Sequence, residues 1–104
     1  MEKKPFEIKF KDDKQKLTVK FSGSLVINHI EDIITEIKDR VDFTKSLHIN
    51  ISNPDNIDLT FIQLVVSLQK SYLDNNLDFS VSAKIKDDLN LILTNAGFNN
   101  IILN

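Results

Sequence analysis

A chain of 104 residues with 41% hydrophobic residues has the size of one domain, residues 1–104, and can bury a single modest core. Thirteen Lys and Arg against fifteen Asp and Glu leave a formal charge of -2, which removes any bulk electrostatic case for nucleic acid or for an anionic membrane surface. The absence of cysteine excludes disulfides, thiolate nucleophiles and Cys-based zinc sites, and it fits a reducing compartment.

The N-terminal "MEKKPFEIKF" carries charges with no signal-peptide apolar core behind them, and no apolar run approaches the roughly 18 to 20 residues that span a bilayer. A cytoplasmic protein without membrane insertion is expected. In "FEIKF", Phe6, Ile8 and Phe10 share one face, and in "KLTVKFS" so do Leu17, Val19 and Phe21. Strict alternation of this kind predicts two half-buried strands, and the polar link "KDDKQ" predicts that they pair as an antiparallel hairpin. Gly23 in "SGSL" is expected to end the second strand. A first helix follows, with Ile27, Ile30, Ile34, Ile37 and Val41 as its apolar stripe. Asn28 and Glu31 have the spacing of a capping box, and Glu36 and Arg40 that of a favourable i, i+4 pair.

A third strand is predicted in "SLHINIS", with Leu47, Ile49 and Ile51 facing inward. In the second helix Phe61, Leu64, Val65, Leu68 and Tyr72 form a wide stripe that Ile62, Val66 and Leu73 broaden. "LDFSVSA" alternates again through Leu77, Phe79 and Val81. "KIKDDLNLILTNAGF" then has the pattern of a third helix closed by Gly97, and "NIILN" that of a last short strand. The predicted order is ββαβαβαβ. Because four strands alternate apolar with polar, helices should cover mainly one face of a mixed sheet of about five strands, giving a two-layer α/β sandwich. Glu7, Lys9, Thr18, Lys20, His48, Asn50 and Ser80 are then left on the open face.

The residue types that carry common chemistries are absent or isolated. The sequence contains no Gly-rich phosphate loop and no Gly-x-Ser-x-Gly elbow, and His29 and His48 lack metal-ligand spacing. Asp12 and Asp13 fall in the hairpin link, while Asp87 and Asp88 open a helix whose dipole they complement. His48 has no partner acid or nucleophile in the pattern. Basic residues are scattered and few aromatics are exposed, so no nucleic-acid platform is expected. No catalytic residue, metal or cofactor is therefore assigned. The remaining feature is the helix start in "NPDNIDLTFIQLV". Asp58 stands where an N-cap would accept from the N–H groups of Thr60 and Phe61, and Thr60 lies in the first turn, where a phosphate would meet the positive end of the helix dipole.

The element order, the "SGSL" after the second strand, the "INIS...NIDLTFIQLV" strand, turn and helix, and the late "NAGF" together resemble the STAS domain, and the likeness covers nearly the whole chain. This fold is shared by sulfate transporter tails and anti-sigma factor antagonists. The antagonist motif reads approximately Asp-Ser-Ser/Thr-Gly-Leu, and against it Asp58 matches the aspartate and Thr60 the phosphoacceptor. Leu59 stands where a small polar residue is usual and Phe61 where glycine is usual, while Gln63 resembles the subset found in chemotaxis clusters and lipid-transport systems. The resemblance implies a non-enzymatic module that docks a protein partner through Asn53, Asp55, Asn56, Asp58, Leu59, Thr60, Phe61 and Gln63. That partner would be an anti-sigma factor or serine/threonine kinase, or a subunit of a signalling complex. A fixed scaffold without phosphorylation, in a chemotaxis or lipid-transport assembly, is the alternative it implies.

Overall fold

The computed structural model describes residues 4–85. Strand β1 (Phe6–Asp12) and strand β2 (Lys16–Leu25) form the expected antiparallel hairpin, with Phe6 opposite Gly23 and Asp12 opposite Leu17. Asp13 makes the turn: its Oδ1 accepts from the N–H groups of Gln15 and Lys16, both at 2.9 Å, and these bonds hold its carboxyl below the usual range. A single 3-10 turn (Ile27–His29) leads into helix α1 (Ile30–Ile37). Strand β3 (Ser46–Ser52) lies parallel to β2, and strand β5 (Phe79–Lys84) lies parallel to β3. Between β3 and helix α2 (Leu59–Asp74) the chain makes a two-residue strand, β4 (Asn56–Ile57), which pairs parallel with the end of β2. The result is a five-stranded mixed sheet of order β1-β2-β3-β5, with β4 as a side branch on β2.

The alternation in the strands gives the architecture. Val19, Phe21, Ile49 and Ile51 are fully buried and share one core with Ile33 and Ile37 of α1 and with Phe61, Ile62, Val65 and Tyr72 of α2. Thr18, His48 and Asn50, pointing the other way, are only half-buried, and Glu7, Lys9, Lys20 and Ser80 are exposed. Among the described residues the molecule is thus a two-layer α/β sandwich with helices on one face. α2 ends in a Schellman arrangement: Asn76 takes the left-handed conformation at φ 58°, its N–H donates to Leu73 O, and the Leu77 N–H donates to Tyr72 O.

Several local expectations are corrected. Gly23 does not end β2. It sits inside the strand at φ 86°, where an added Cβ would lie 2.6 Å from Pro5 O, so only glycine lets β1 approach this closely. The face of α1 is rotated from the one expected: Ile33 is 0% exposed, whereas Ile34 is 40% and Ile27 60% exposed. No capping box forms at Asn28; His29 occupies the N-cap of α1 without a side-chain bond. Glu36 pairs with Lys4 at 3.0 Å instead of Arg40, whose guanidinium lies 4.4 Å above the Phe10 ring. Leu73 is exposed rather than part of the α2 stripe. β5 runs through Lys84, the first residue of the stretch expected to form a third helix. The rest of that helix beyond Ile85, with Asp87, Asp88 and Gly97, and the strand in "NIILN" lie outside the described residues.

Candidate functional site

The segment from Asn53 to Thr60 is a loop in sequence but is pinned on every side. Asn53 leaves β3 in the left-handed region at φ 43°, a conformation that asparagine tolerates better than most residues, and its N–H donates to Lys84 O at 2.7 Å. Pro54 is buried. The Asp55 N–H then donates to Gly23 O at 2.8 Å, so within two residues the backbone has changed partner from β5 to β2. The pairing of β4 and the bond from Asp58 N–H to Leu25 O, at 3.2 Å, continue that attachment up to the helix. The resulting surface is held by main-chain bonds to two strands.

Asp58 is the N-cap expected of it. Its Oδ1 accepts from the N–H groups of Thr60 at 3.0 Å and Phe61 at 3.3 Å, satisfying two of the amides a helix start leaves free. Its Oδ2 does something the local pattern does not show: it accepts from the Ile27 N–H at 2.8 Å, across 31 residues. One carboxylate therefore fixes the start of α2 and the start of the 3-10 turn that leads into α1.

The side chains singled out in the sequence separate into two groups. Asn53, Asp55, Asn56, Leu59 and Gln63 are exposed, while Asp58 and Thr60 are half-buried. Phe61 does not belong to this surface. It is 0% exposed and packs edge-on against Phe21 with ring centroids 5.1 Å apart. Where a glycine at that position would leave room, the ring fills the core. Thr60 donates its N–H to Asp58, and its hydroxyl makes no hydrogen bond among the described residues. Leu59 is 43% exposed, and so the first helical residue presents an apolar side chain to solvent.

Ile27, expected on the buried stripe of a helix, is instead exposed, with its N–H on Asp58. It joins Leu59 as a second exposed apolar residue whose backbone adjoins Asp58. Only the contact between distant residues reveals it. On the far side of the turn, Asp55 and Gly23 border an open groove of about 460 Å3, with Pro5, Phe6, Glu7 and Ile8.

His48 lies elsewhere, on the open sheet face. Its Nδ1 is 2.7 Å from Ser80 Oγ and its Nε2 3.0 Å from Ser82 Oγ, so β5 holds both ring nitrogens. Desolvation, and secondarily the nearby Lys16 charge, push the imidazole pKa down. Asp58 and His48 thus have separate partners and do not converge. Of the acidic pair in the hairpin, Asp12 binds Lys45 and Asp13 holds the turn. Among the described residues no group of three metal-ligating side chains forms, and no helix is long and apolar enough to cross a membrane.

Neither a protein-family model nor a curated protein matches this chain.

Proposed function

We propose that the protein is a non-enzymatic, cytoplasmic, STAS-like binding module whose docking surface is the end of the sandwich formed by the Asn53–Thr60 segment and Ile27. The observation that carries this reading is the pairing of a turn pinned by main-chain bonds with two exposed apolar residues, Ile27, whose N–H binds the Asp58 carboxylate, and Leu59, the neighbour of Asp58 in the chain. A preorganised backbone lowers the ordering cost of association, and exposed aliphatic side chains provide area that a partner can bury. Thr60 stands at the position of the phosphoacceptor in the antagonists that the sequence resembles. In the first turn of a 16-residue helix, with its hydroxyl uncommitted among the described residues, it is chemically suited to carry a phosphate. The partner in this reading is an anti-sigma factor acting as a serine/threonine kinase.

A second reading is favoured by Leu59 and Phe61. An apolar residue at the first helical position and a core phenylalanine in place of glycine suit a fixed contact better than a switch, which describes a scaffold subunit of a chemotaxis or lipid-transport assembly. The two readings separate on incubation with ATP and a serine/threonine kinase of the anti-sigma factor class, followed by mass spectrometry. Phosphate on Thr60, lost in Thr60→Val, supports the switch. Binding of that same partner without label, weakened at least about tenfold by Leu59→Asp, supports the scaffold. Absence of both phosphate and Leu59-dependent binding sinks the docking surface itself.

A further inference from the structure

The net charge of -2 conceals a segregation that only the fold reveals. Alternation in the strands sends Lys9, Lys11, Lys16, Lys20 and Lys84 to the open sheet face, all exposed, and within the strands Glu7 is the one carboxylate that joins them. Glu7 pairs with Lys9 at 3.5 Å; among the described residues the other four lysines have no salt bridge. The opposite layer is acidic: α1 and α2 contain Glu31, Asp32, Glu36 and Asp74, with Lys70 as their one lysine. The arrangement breaks a rule of sheet design, because Lys9 stands directly opposite Lys20, and like charges placed so are destabilising. An acidic protein does not need such a pair for solubility. Local rules broken without a structural gain mark functional surfaces.

We propose that this face lies against an anionic lipid surface, held electrostatically and without insertion. What the face lacks decides the occupant. Between the lysines stand Thr18, Ser22, His48, Asn50, Ser80 and Ser82, with no Phe, Tyr, Trp or aliphatic side chain among the described outward strand positions. A stable protein interface needs a desolvated apolar anchor, and single-stranded bases need free stacking rings; among the described residues this face has no such anchor, and its one ring, His48, is half-buried and bonded to Ser80 and Ser82. It also has no arginine to grip a phosphate in bidentate fashion. Flexible lysines at irregular offsets suit a fluid layer of headgroups, whose charges redistribute beneath them. So oriented, the turn at Asn53–Thr60 sits at the end of the sandwich, beyond the last residues of β2 and β5, and stays open to a protein partner. The two surfaces use different residues, so either assignment can fail alone.

The test is flotation of the full chain with vesicles of phosphatidylcholine alone and of phosphatidylcholine mixed in equal parts with phosphatidylglycerol. The expected result is flotation with the anionic vesicles only, weakened at least about tenfold when salt reduces the screening length to a few Å. The variant combining Lys11→Glu and Lys20→Glu should abolish it, with Lys11→Gln and Lys84→Gln as a second pair should the first fail to fold. Glu31→Gln on the helix layer should leave it intact. Failure to float with anionic vesicles, equal flotation with neutral ones, or indifference to both lysine pairs overturns the proposal. Tighter binding to duplex DNA or to polyglutamate at matched salt also overturns it, in favour of a nucleic-acid or protein occupant.

Discussion

At the scale of single residues, Asp58 holds more backbone amides than any other side chain among the described residues. Three backbone amides depend on it: Thr60, Phe61 and the distant Ile27. Asp58→Ala removes a helix cap and a tertiary bond together, and it should cost about 2 kcal/mol in urea unfolding, at the upper end for a cap alone. A loss well under 1 kcal/mol would mean that the Ile27 bond contributes nothing. His48 supplies a pH dependence with a definite sign. Its folded pKa lies below the ordinary 6.5, so the unfolded chain takes up the proton more readily. Its contribution to stability is whole above pH 6.5 and is lost as pH falls from there through the folded pKa. Thermal midpoints across this range should decline for the native chain, and His48→Asn should flatten that part of the curve. The cap was legible in the sequence because an N-cap is a local pattern of three residues. The Ile27 bond was not, since nothing in the neighbourhood of either residue encodes a contact across 31 positions.

At the scale of elements, strands and helices differed in how plainly the sequence announced them. The period of two in "FEIKF", "KLTVKFS" and "SLHINIS" admits one inward face, and the structure uses that face in β1, β2 and β3. The isoleucines of α1 admit two phases, because Ile30 and Ile37 belong to both and only Ile33 or Ile34 distinguishes them. The packing of Ile33 in the core fixes the phase, and the 3-10 turn at Ile27–His29 takes Ile27 off the stripe: three residues wound at three per turn, in place of 3.6, advance the chain by about 60°. Ile33→Ala should therefore cost about 2 to 5 kcal/mol and Ile34→Ala under about 1 kcal/mol, measured side by side by chemical denaturation. Equal losses would restore the other phase. β4 was illegible for a different reason. Two residues, Asn56 and Ile57, carry no periodicity, and they become a strand only because the ten-residue β2 extends beyond β3 and offers unpaired backbone.

At the scale of the whole molecule, composition misled and topology corrected it. Lysines scattered along the sequence become one cationic face because the pairing register of β1, β2 and β5 brings Lys9, Lys11, Lys16, Lys20 and Lys84 out on the same side of the sheet. The cross-strand pair makes a prediction independent of any ligand: Lys20→Glu places opposite charges at Lys9 and position 20 and should raise stability by about 0.5 kcal/mol. A gain there, alongside lost vesicle binding, is the signature of a residue kept for contact at a cost in stability. The candidate turn was legible as a polar junction before a helix, whereas its rigidity and its second apolar residue required the fold. The shared carboxylate has one more consequence. Because Asp58 anchors both helix starts, an added negative charge at Thr60 competes for the same amides, and the slackening is felt at the beginning of the other helix. The Ile27 amide is thus a remote gauge of the Thr60 hydroxyl: in Thr60→Glu its hydrogen should exchange with solvent at least about tenfold faster than in the native chain, while amides in the centre of β3 keep their protection.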